Sequence, residues 1–241
     1  MLAMLPAMRW PLALVMLAAW GLAACGSCSS HEAPVDAPAS CPGELSERGE
    51  GTFYDARGTG SCSFDPPADP MVAALNAPDY DHAAWCGACL AVSGPSGEVV
   101  VRVVDVCPGC KHGDLDLSRE AFARLAPLSA GRVAIAWREV ACPVSGPLAY
   151  QLKSGSNAYW TAIQLRNHRY AIDRLEARGA AGAYQAVARA DYNYFVAPSG
   201  LGAGPYALRV TDVHGHTLED GAIVLGDAAL RPGAGQFPAC P

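Results

Sequence analysis

Little in this chain of 241 residues is positively charged. Seventeen Lys and Arg face 23 Asp and Glu, a net charge of −6, and no basic stripe runs through the sequence. That removes the electrostatic footprint of a nucleic-acid-binding protein. Long apolar runs are equally scarce. Past Cys25 none is long enough to cross a bilayer as a helix. No internal repeat is visible, and the second half of the chain has no convincing helical pattern.

The one long apolar run lies at the N-terminus. Arg9 precedes "WPLALVMLAAWGLAA", which ends at Cys25. A basic residue, a short apolar core and small residues before a cut describe an export signal, too short and poorly flanked to span a membrane. "LAAC" at 22–25 resembles a bacterial lipobox, which implies cleavage before Cys25 and acylation there. An ordinary secretory signal is the alternative. Position 26 is Gly, not the Asp that would argue for inner-membrane retention. Residues 26–44, "GSCSSHEAPVDAPASCPGE", are small, polar and Pro-rich, and cannot bury a core. The expected layout is a signal at 1–24 and a tether at 25–45. The expected location is the outer membrane or cell surface through the lipid, or otherwise secretion, with no other membrane contact and a monomeric chain.

Ten cysteines fall at 25, 28, 41, 62, 86, 89, 107, 110, 142 and 240. With Cys25 lipidated and Cys28 in the tether, eight remain, and an oxidising compartment favours disulfides. Eight cysteines allow roughly a hundred pairings, so position alone assigns none. Cys86-x2-Cys89-x17-Cys107-x2-Cys110 also fits four-thiolate zinc spacing. An exported protein keeps four free thiolates with difficulty, so zinc is disfavoured. A redox CxxC opens a helix, whereas Pro108-Gly109 leads into a Gly-rich loop. Structural disulfides are expected, with no metal and no cofactor.

From about 46 to 143 the chain reads as short apolar strands. "GEGTFYDARGTGSCSF" alternates and then breaks at glycines, and "MVAALNAPDYD" reads as a short helix or turn. "CLAVSGPSGEVVVRVVDVC" reads as two strands joined at Gly94-Pro95-Ser96-Gly97. "LSREAFARLAPL" predicts a helix capped by Ser118, with Glu120 in its first turn and an apolar face of Ala121, Phe122, Leu125 and Leu128. "GRVAIAWREVAC" alternates as a strand. Many strands and short helices suggest a compact β-barrel. "PVSGPL" at 143–148 is a turn-rich break. Glycine-separated strands follow and suggest a β-sandwich. The domains are expected at 46–143 and 144–241.

These features, in this order, resemble the expansins, and most closely the bacterial expansin-like proteins. The motifs are "GEGTFYD", "GSCSF", "CGACLAVSGPSGEVVVRVVDVCPGC", "GDLDLSREAF" and "GRVAIAWREVAC", then "YQLKSGSNAYWTAIQLRNHRY", "ADYNYFV" and "LRVTDVHGHTLED". They cover nearly all of 48–238. The resemblance implies a mainly β protein: a six-stranded double-psi β-barrel with short helices, followed by an immunoglobulin-like β-sandwich. The second domain would be a carbohydrate-binding module of the family-63 kind. The implied role is non-hydrolytic loosening of cellulose-containing walls. The implied disulfides are Cys62–Cys86, Cys89–Cys142 and Cys107–Cys110, which leaves Cys41 and Cys240 to pair.

The chemistry centres on two carboxylates. Asp105 ends a valine run, and Asp116 sits between Leu115 and Leu117. An aspartate framed by apolar residues is desolvated, which raises its pKa, as a glycosidase's acid requires. A helix cap or turn bond is the plainer role for Asp116. By resemblance, Asp116 matches the family's essential aspartate, Asp105 its second aspartate, and Thr52 the threonine that hydrogen-bonds in the same groove. Inverting hydrolysis needs a base roughly 6.5–9.5 Å away, which family-45 glucanases have and expansins lack. Asp105 is the obvious partner by position, and Asp65, Asp69, Asp79 and Asp81 sit in loops that could reach the groove. Where bacterial relatives often carry Tyr two residues after the first aspartate, this chain has Cys107.

In the second half, Tyr159 and Trp160 follow the flexible "KSGSNA". Flat rings stack on sugar faces. Neighbours in a regular strand point to opposite faces, so both serve a ligand only if the chain bends. Otherwise one of the two is core. By resemblance, Tyr159, Trp160 and Tyr192 form a three-ring platform with Lys153 beside it, and Tyr-Trp stands where two tryptophans are usual. His168 and Tyr194 read as structural, and His214 and His216 as solvated in a turn.

The expected partners are cellulose and related β-1,4-glycans, with plant wall matrix or peptidoglycan as further polymers. Two rival readings stand beside wall loosening. One is a glucanase or peptidoglycan lytic transglycosylase using Asp116 as its acid. The other is a pure wall adhesin.

Overall fold

The computed structural model describes residues 46–239, apart from 58, 67, 180, 181 and 225–229. The expected signal, tether and lipid-bearing Cys25 lie outside these residues, as do Cys28 and the Cys41–Cys240 pair.

Six strands close into a barrel: β1 (Ser46–Tyr54), β2 (Val72–Asn76), β3 (Cys89–Gly94), β4 (Gly97–Cys107), β5 (Leu115–Ser118) and β6 (Val133–Val140). Their order is β1-β5-β2-β4-β3-β6, closed by β6 on β1. The β1–β5 and β2–β4 pairs are parallel and the others antiparallel. Alternation with a period of two sends Leu75, Leu90, Val92, Val101, Val103, Leu115, Leu117 and Trp137 into one core.

Two local expectations are corrected. "VAALN" is strand β2, not helix. Its five residues are all buried between β4 and β5, and a short apolar run carries no period that separates the two states. Only Ala77–Tyr80 is helical (α1). The helix capped by Ser118 is α2, Arg119–Leu125, with Ser118 Oγ accepting from Ala121 N at 3.1 Å. Leu128 is not on it. Pro127 forces the preceding Ala126 into an extended conformation, φ −165°, and ends the helix. Leu128–Ala130 form a separate 3-10 turn.

Eight strands follow: β7 (Ala149–Leu152), β8 (Thr161–Arg166), β9 (Ile172–Arg178), β10 (Gln185–Ala190), β11 (Tyr194–Ala197), β12 (Tyr206–Asp212), β13 (Thr217–Ile223) and β14 (Leu230–Pro232). They run in the order β13-β12-β9-β10-β11-β8-β7-β14. Strand β10 serves two layers. Gln185–Val187 pair with β9, and Ala188–Ala190 pair with β11. The sandwich is therefore one hydrogen-bonded sheet whose layers share β10. Ile172, Leu175, Leu208 and Val210 of one layer pack with Tyr150, Leu152, Ile163, Leu165 and Phe195 of the other in one core.

Three disulfides join Cys62–Cys86, Cys89–Cys142 and Cys107–Cys110. Cys86, Cys89, Cys107 and Cys110 therefore have no thiolates to offer as a zinc set. The Cys107–Cys110 bond shapes the loop between β4 and β5.

Barrel and sandwich meet through polar contacts. Gln164 Nε2, on a fully buried side chain, donates to Cys62 O at 3.0 Å, and Asn193 Nδ2 donates to the same oxygen at 3.1 Å. Arg166 pairs with Asp65 at 2.6 Å. At the end of β6, Glu139 accepts from Ala171 N at 2.9 Å and holds His214 Nε2 at 2.8 Å. His216 Nδ1 lies 2.8 Å from Asp212. His214 and His216 are thus half-buried and paired with carboxylates, not solvated. The turn that carries them folds back against the barrel and the Tyr170 ring.

Candidate functional site

The register of four adjacent strands builds the barrel's site. Thr52 on β1 stands opposite Asp116 on β5, Asp116 opposite Ala74 on β2, and Ala74 opposite Asp105 on β4. Residues in cross-strand register share a face. Leu115 and Leu117 point into the core, so Asp116 between them points away from it.

Asp105 needs a further device. Plain alternation along β4 would send it inward with Val101 and Val103. A bulge intervenes. Ala73 pairs with Val103 but Ala74 pairs with Asp105, so Val104 is an extra residue. The bulge reverses the alternation, turns Asp105 outward and returns Val106 to the core. Gly60, at φ +60°, lies so close above this bulge that a Cβ would strike the Val104 carbonyl oxygen. The Gly60 loop gives Asp105 one of its two donors. Asp105 Oδ1 accepts from Ser61 N at 2.7 Å and from Val106 N at 2.8 Å.

Thr52 Oγ1 donates to Asp116 Oδ1 at 2.7 Å. Burial pushes the Asp116 carboxyl above its ordinary range and the Asp105 charge adds to that, while the Thr52 bond and Arg132 pull the other way. The two aspartates lie two strand spacings apart, about 9.5 Å between Cα atoms.

The other acidic loop residues have structural duties or a place at the margin. Asp65 pairs with Arg166 across the domain junction. Asp69 accepts from Met71 N where the chain enters β2. Asp79 accepts from Asn76 Nδ2, accepts from Gly113 N at 3.0 Å, and lies 3.1 Å from His112. Asp81 lines a cleft described below.

One site residue was missed from the sequence. Tyr54 lies two positions beyond Thr52 on the same face of β1. Its hydroxyl is pushed up, chiefly by burial and then by the charges of Asp105 and Asp116, so the phenol sits near both carboxylates. Counting by twos from Thr52 would have found it.

On the sandwich, Asn157 and Trp160 form a bridge, with Asn157 N donating to Trp160 O at 2.7 Å. The turn is held by Asn157 Oδ1, which accepts from Tyr159 N at 2.8 Å and Trp160 N at 3.2 Å. Tyr159 and Trp160 therefore occupy a tight hairpin tip, not a regular strand. Tyr159 is 84% exposed and Trp160 is half-buried, outside the sandwich core. Tyr192 is 40% exposed on the loop between β10 and β11. Lys153 Nζ lies 5.7 Å from the Tyr192 ring centre and 4.7 Å from that of buried Tyr194.

A cleft of about 520 Å³ lies where barrel and sandwich meet. Ser61 and Val106, the neighbours of Asp105, line it from the barrel, and Asp191, next to Tyr192, lines it from the sandwich. Tyr80 OH donates to Asp191 O at 3.0 Å, and His82 Nδ1 lies 2.8 Å from Asp191 Oδ1. Among the described residues no three His, Cys, Asp or Glu side chains converge as a metal site.

The chain is similar to known proteins in sequence and in fold. A family model described as lytic transglycolase matches residues 72–137, inside the barrel. The chain is 35% identical over 189 residues to expansin-YoaJ of Bacillus subtilis, covering 74% of this chain and 81% of that one. It is 31% identical over 180 residues to expansin-like protein 5 of Dictyostelium discoideum, covering 69% and 75%. The crystal structure of an aspartate-to-asparagine variant of the Clavibacter michiganensis expansin in complex with cellohexaose superposes with a TM-score of 0.75. Identity there is 34%, over 81% of this chain and 100% of that one. With this identity over most of its length and the double-psi barrel followed by a second β domain, the chain belongs to the expansin family.

Proposed function

We propose that this protein binds cellulose and related β-1,4-glycans and loosens walls that contain them without cutting a covalent bond. The observation that carries the reading is a cleft lined by residues of both domains, beside the groove and beside the platform. Ser61 and Val106, beside Asp105, and Asp191, beside Tyr192, line that cleft, which favours one extended chain reaching from groove to platform. A linear glycan fits such a surface, and the Clavibacter relative was crystallised with cellohexaose.

In this reading Tyr159, Trp160 and Tyr192 stack on pyranose faces, and Lys153 supplies a polar contact beside them. In the groove Asp116, held by Thr52, hydrogen-bonds glycan hydroxyls, with Asp105 and Tyr54 beside it. The side-chain partner of Asp116 is a threonine hydroxyl, and Asp105 is tied to two backbone donors. Loosening then comes from competition with glycan–glycan contacts. The domain limits at 46–143 and 144–241, export with a lipid on Cys25, and a monomeric state belong to the same proposal.

A second reading has one observation in its favour: the barrel matches a model described as lytic transglycolase. Lytic cleavage needs one acid, and the raised carboxyl of Asp116 suits that task. Cellulose, plant wall and peptidoglycan pull-downs, with analysis of soluble products from the same samples, separate the two. Binding to cellulose without new reducing ends or anhydro-sugars supports loosening. Anhydro-muropeptides released by the wild type and not by Asp116→Asn support cleavage.

A further inference from the structure

A second pocket, of about 240 Å³, opens at the junction of barrel and sandwich. Its lining includes none of Thr52, Tyr54, Asp105 and Asp116. Its volume equals that of about eight waters of bulk liquid, which suits one sugar ring and not a polymer lying lengthwise.

Its lining is unusual in charge. Arg102, on the outer face of β4, contributes a guanidinium that makes no hydrogen bond and no ion pair to the described residues. Burial weakens its hold on its proton, and only the more distant Asp69 compensates. A desolvated cation without a partner is costly, and a pocket is where a ligand's anion can offset that cost. Arg166 adds a second guanidinium, already fixed by Asp65 at 2.6 Å and by Gln164 Oε1 at 2.7 Å.

The third polar group is His168. It is buried, and its ring is pushed down to about 4, chiefly by burial. It is therefore neutral at ordinary pH. Its Nδ1 lies 2.7 Å from Tyr170 O and donates to it, which leaves Nε2 as an acceptor. Gly87 makes room for that nitrogen, since a Cβ there would stand 2.7 Å from Nε2. Phe64, Pro66, Ala68 and Val104 complete an apolar wall.

Together these groups ask for one ligand that carries an anion for Arg102, a hydroxyl donor for His168 Nε2, and an apolar ring face for Phe64. A sugar acid has all three. We propose that this pocket binds the carboxylate-bearing ring of a hexuronate, such as the glucuronate branches of a wall polysaccharide. The carboxylate takes a charge-assisted, two-pronged bond from Arg102, and a ring hydroxyl donates to His168. The site goes beyond cellulose binding and does not depend on it. It would give a protein of net charge −6 a local contact with acidic polymers.

The test is a calorimetric titration of the exported chain at low salt with sodium glucuronate, methyl glucoside and inorganic phosphate, each with wild type, Arg102→Gln and Arg102→Lys. Glucuronate is expected to bind one-to-one, at least tenfold more weakly to Arg102→Gln, with Arg102→Lys in between. Methyl glucoside and phosphate are expected to show no comparable binding. Cellulose pull-down of the same variants is expected to be unchanged, which separates this site from the platform. Absence of glucuronate binding by the wild type overturns the proposal, whatever the variants do. So does unaltered binding by Arg102→Gln, or phosphate binding as tightly as glucuronate.

Discussion

Thr52 Oγ1 donates to Asp116 Oδ1 at 2.7 Å across the parallel pair of β1 and β5. That bond holds the Asp116 carboxyl in place and lowers its pKa against the larger effect of burial. Thr52→Val removes the donor. The Asp116 titration, followed by carboxyl NMR, is expected to move further up, and stability to fall by about 1 kcal/mol. Thr52→Ser restores both. An unmoved titration in Thr52→Val would show that the hydroxyl does not tune this acid.

Asp116→Asn tests the same site through stability. The folded carboxyl titrates above its unfolded value, so ionisation is harder in the folded state. Wild type therefore loses stability as pH rises from the unfolded value, about 4, through the folded one. The asparagine variant has no such loss. Denaturant melts are expected to coincide at low pH and to separate in favour of the variant toward neutrality. Separation of the opposite sign would mean that the Thr52 and Arg132 contacts outweigh burial.

The platform makes a prediction about binding alone. Tyr159 is nearly free of protein contact, Trp160 is half-buried and Tyr192 is partly exposed, so truncating them leaves both cores intact. Replacing all three by Ala is expected to reduce the cellulose-bound fraction at least tenfold and to leave the thermal midpoint within a few degrees of wild type. Normal cellulose binding by the triple variant would place the binding face elsewhere.

His168 links the junction to pH. Its folded value is about 4, against about 6.5 unfolded. A depressed value gives stability that is present above pH 6.5 and lost as pH falls toward 4. The loss is on the order of 3 kcal/mol over that window. His168→Gln is expected to lower stability at pH 7 and to flatten this slope. A slope that survives the substitution would trace it to other groups.

Much of this was legible from residue order. Leu115-Asp116-Leu117 announced a desolvated aspartate of raised pKa, and Ser118 announced the helix that follows. The turn at Gly94–Gly97 and the strands either side were equally plain. Other features depend on tertiary neighbours that no local pattern carries. The outward aim of Asp105 comes from the Val104 bulge, which exists only because β2 pairs with β4 in a shifted register. In the junction cluster Glu139 lies 75 residues before its partner His214, so a turn rich in His and Gly read as solvated. Sharing β10 between two layers is likewise a matter of pairing, not composition.

The most direct measurement is the extension of a cellulose-rich wall sheet under constant load, with soluble sugars assayed in the same bath. Wild type is expected to increase extension with no new reducing ends, and Asp116→Asn to abolish extension while still binding the sheet. Extension that tracks the release of reducing ends, with both lost in Asp116→Asn, would contradict a non-hydrolytic mechanism and make the protein a glycan-cleaving enzyme.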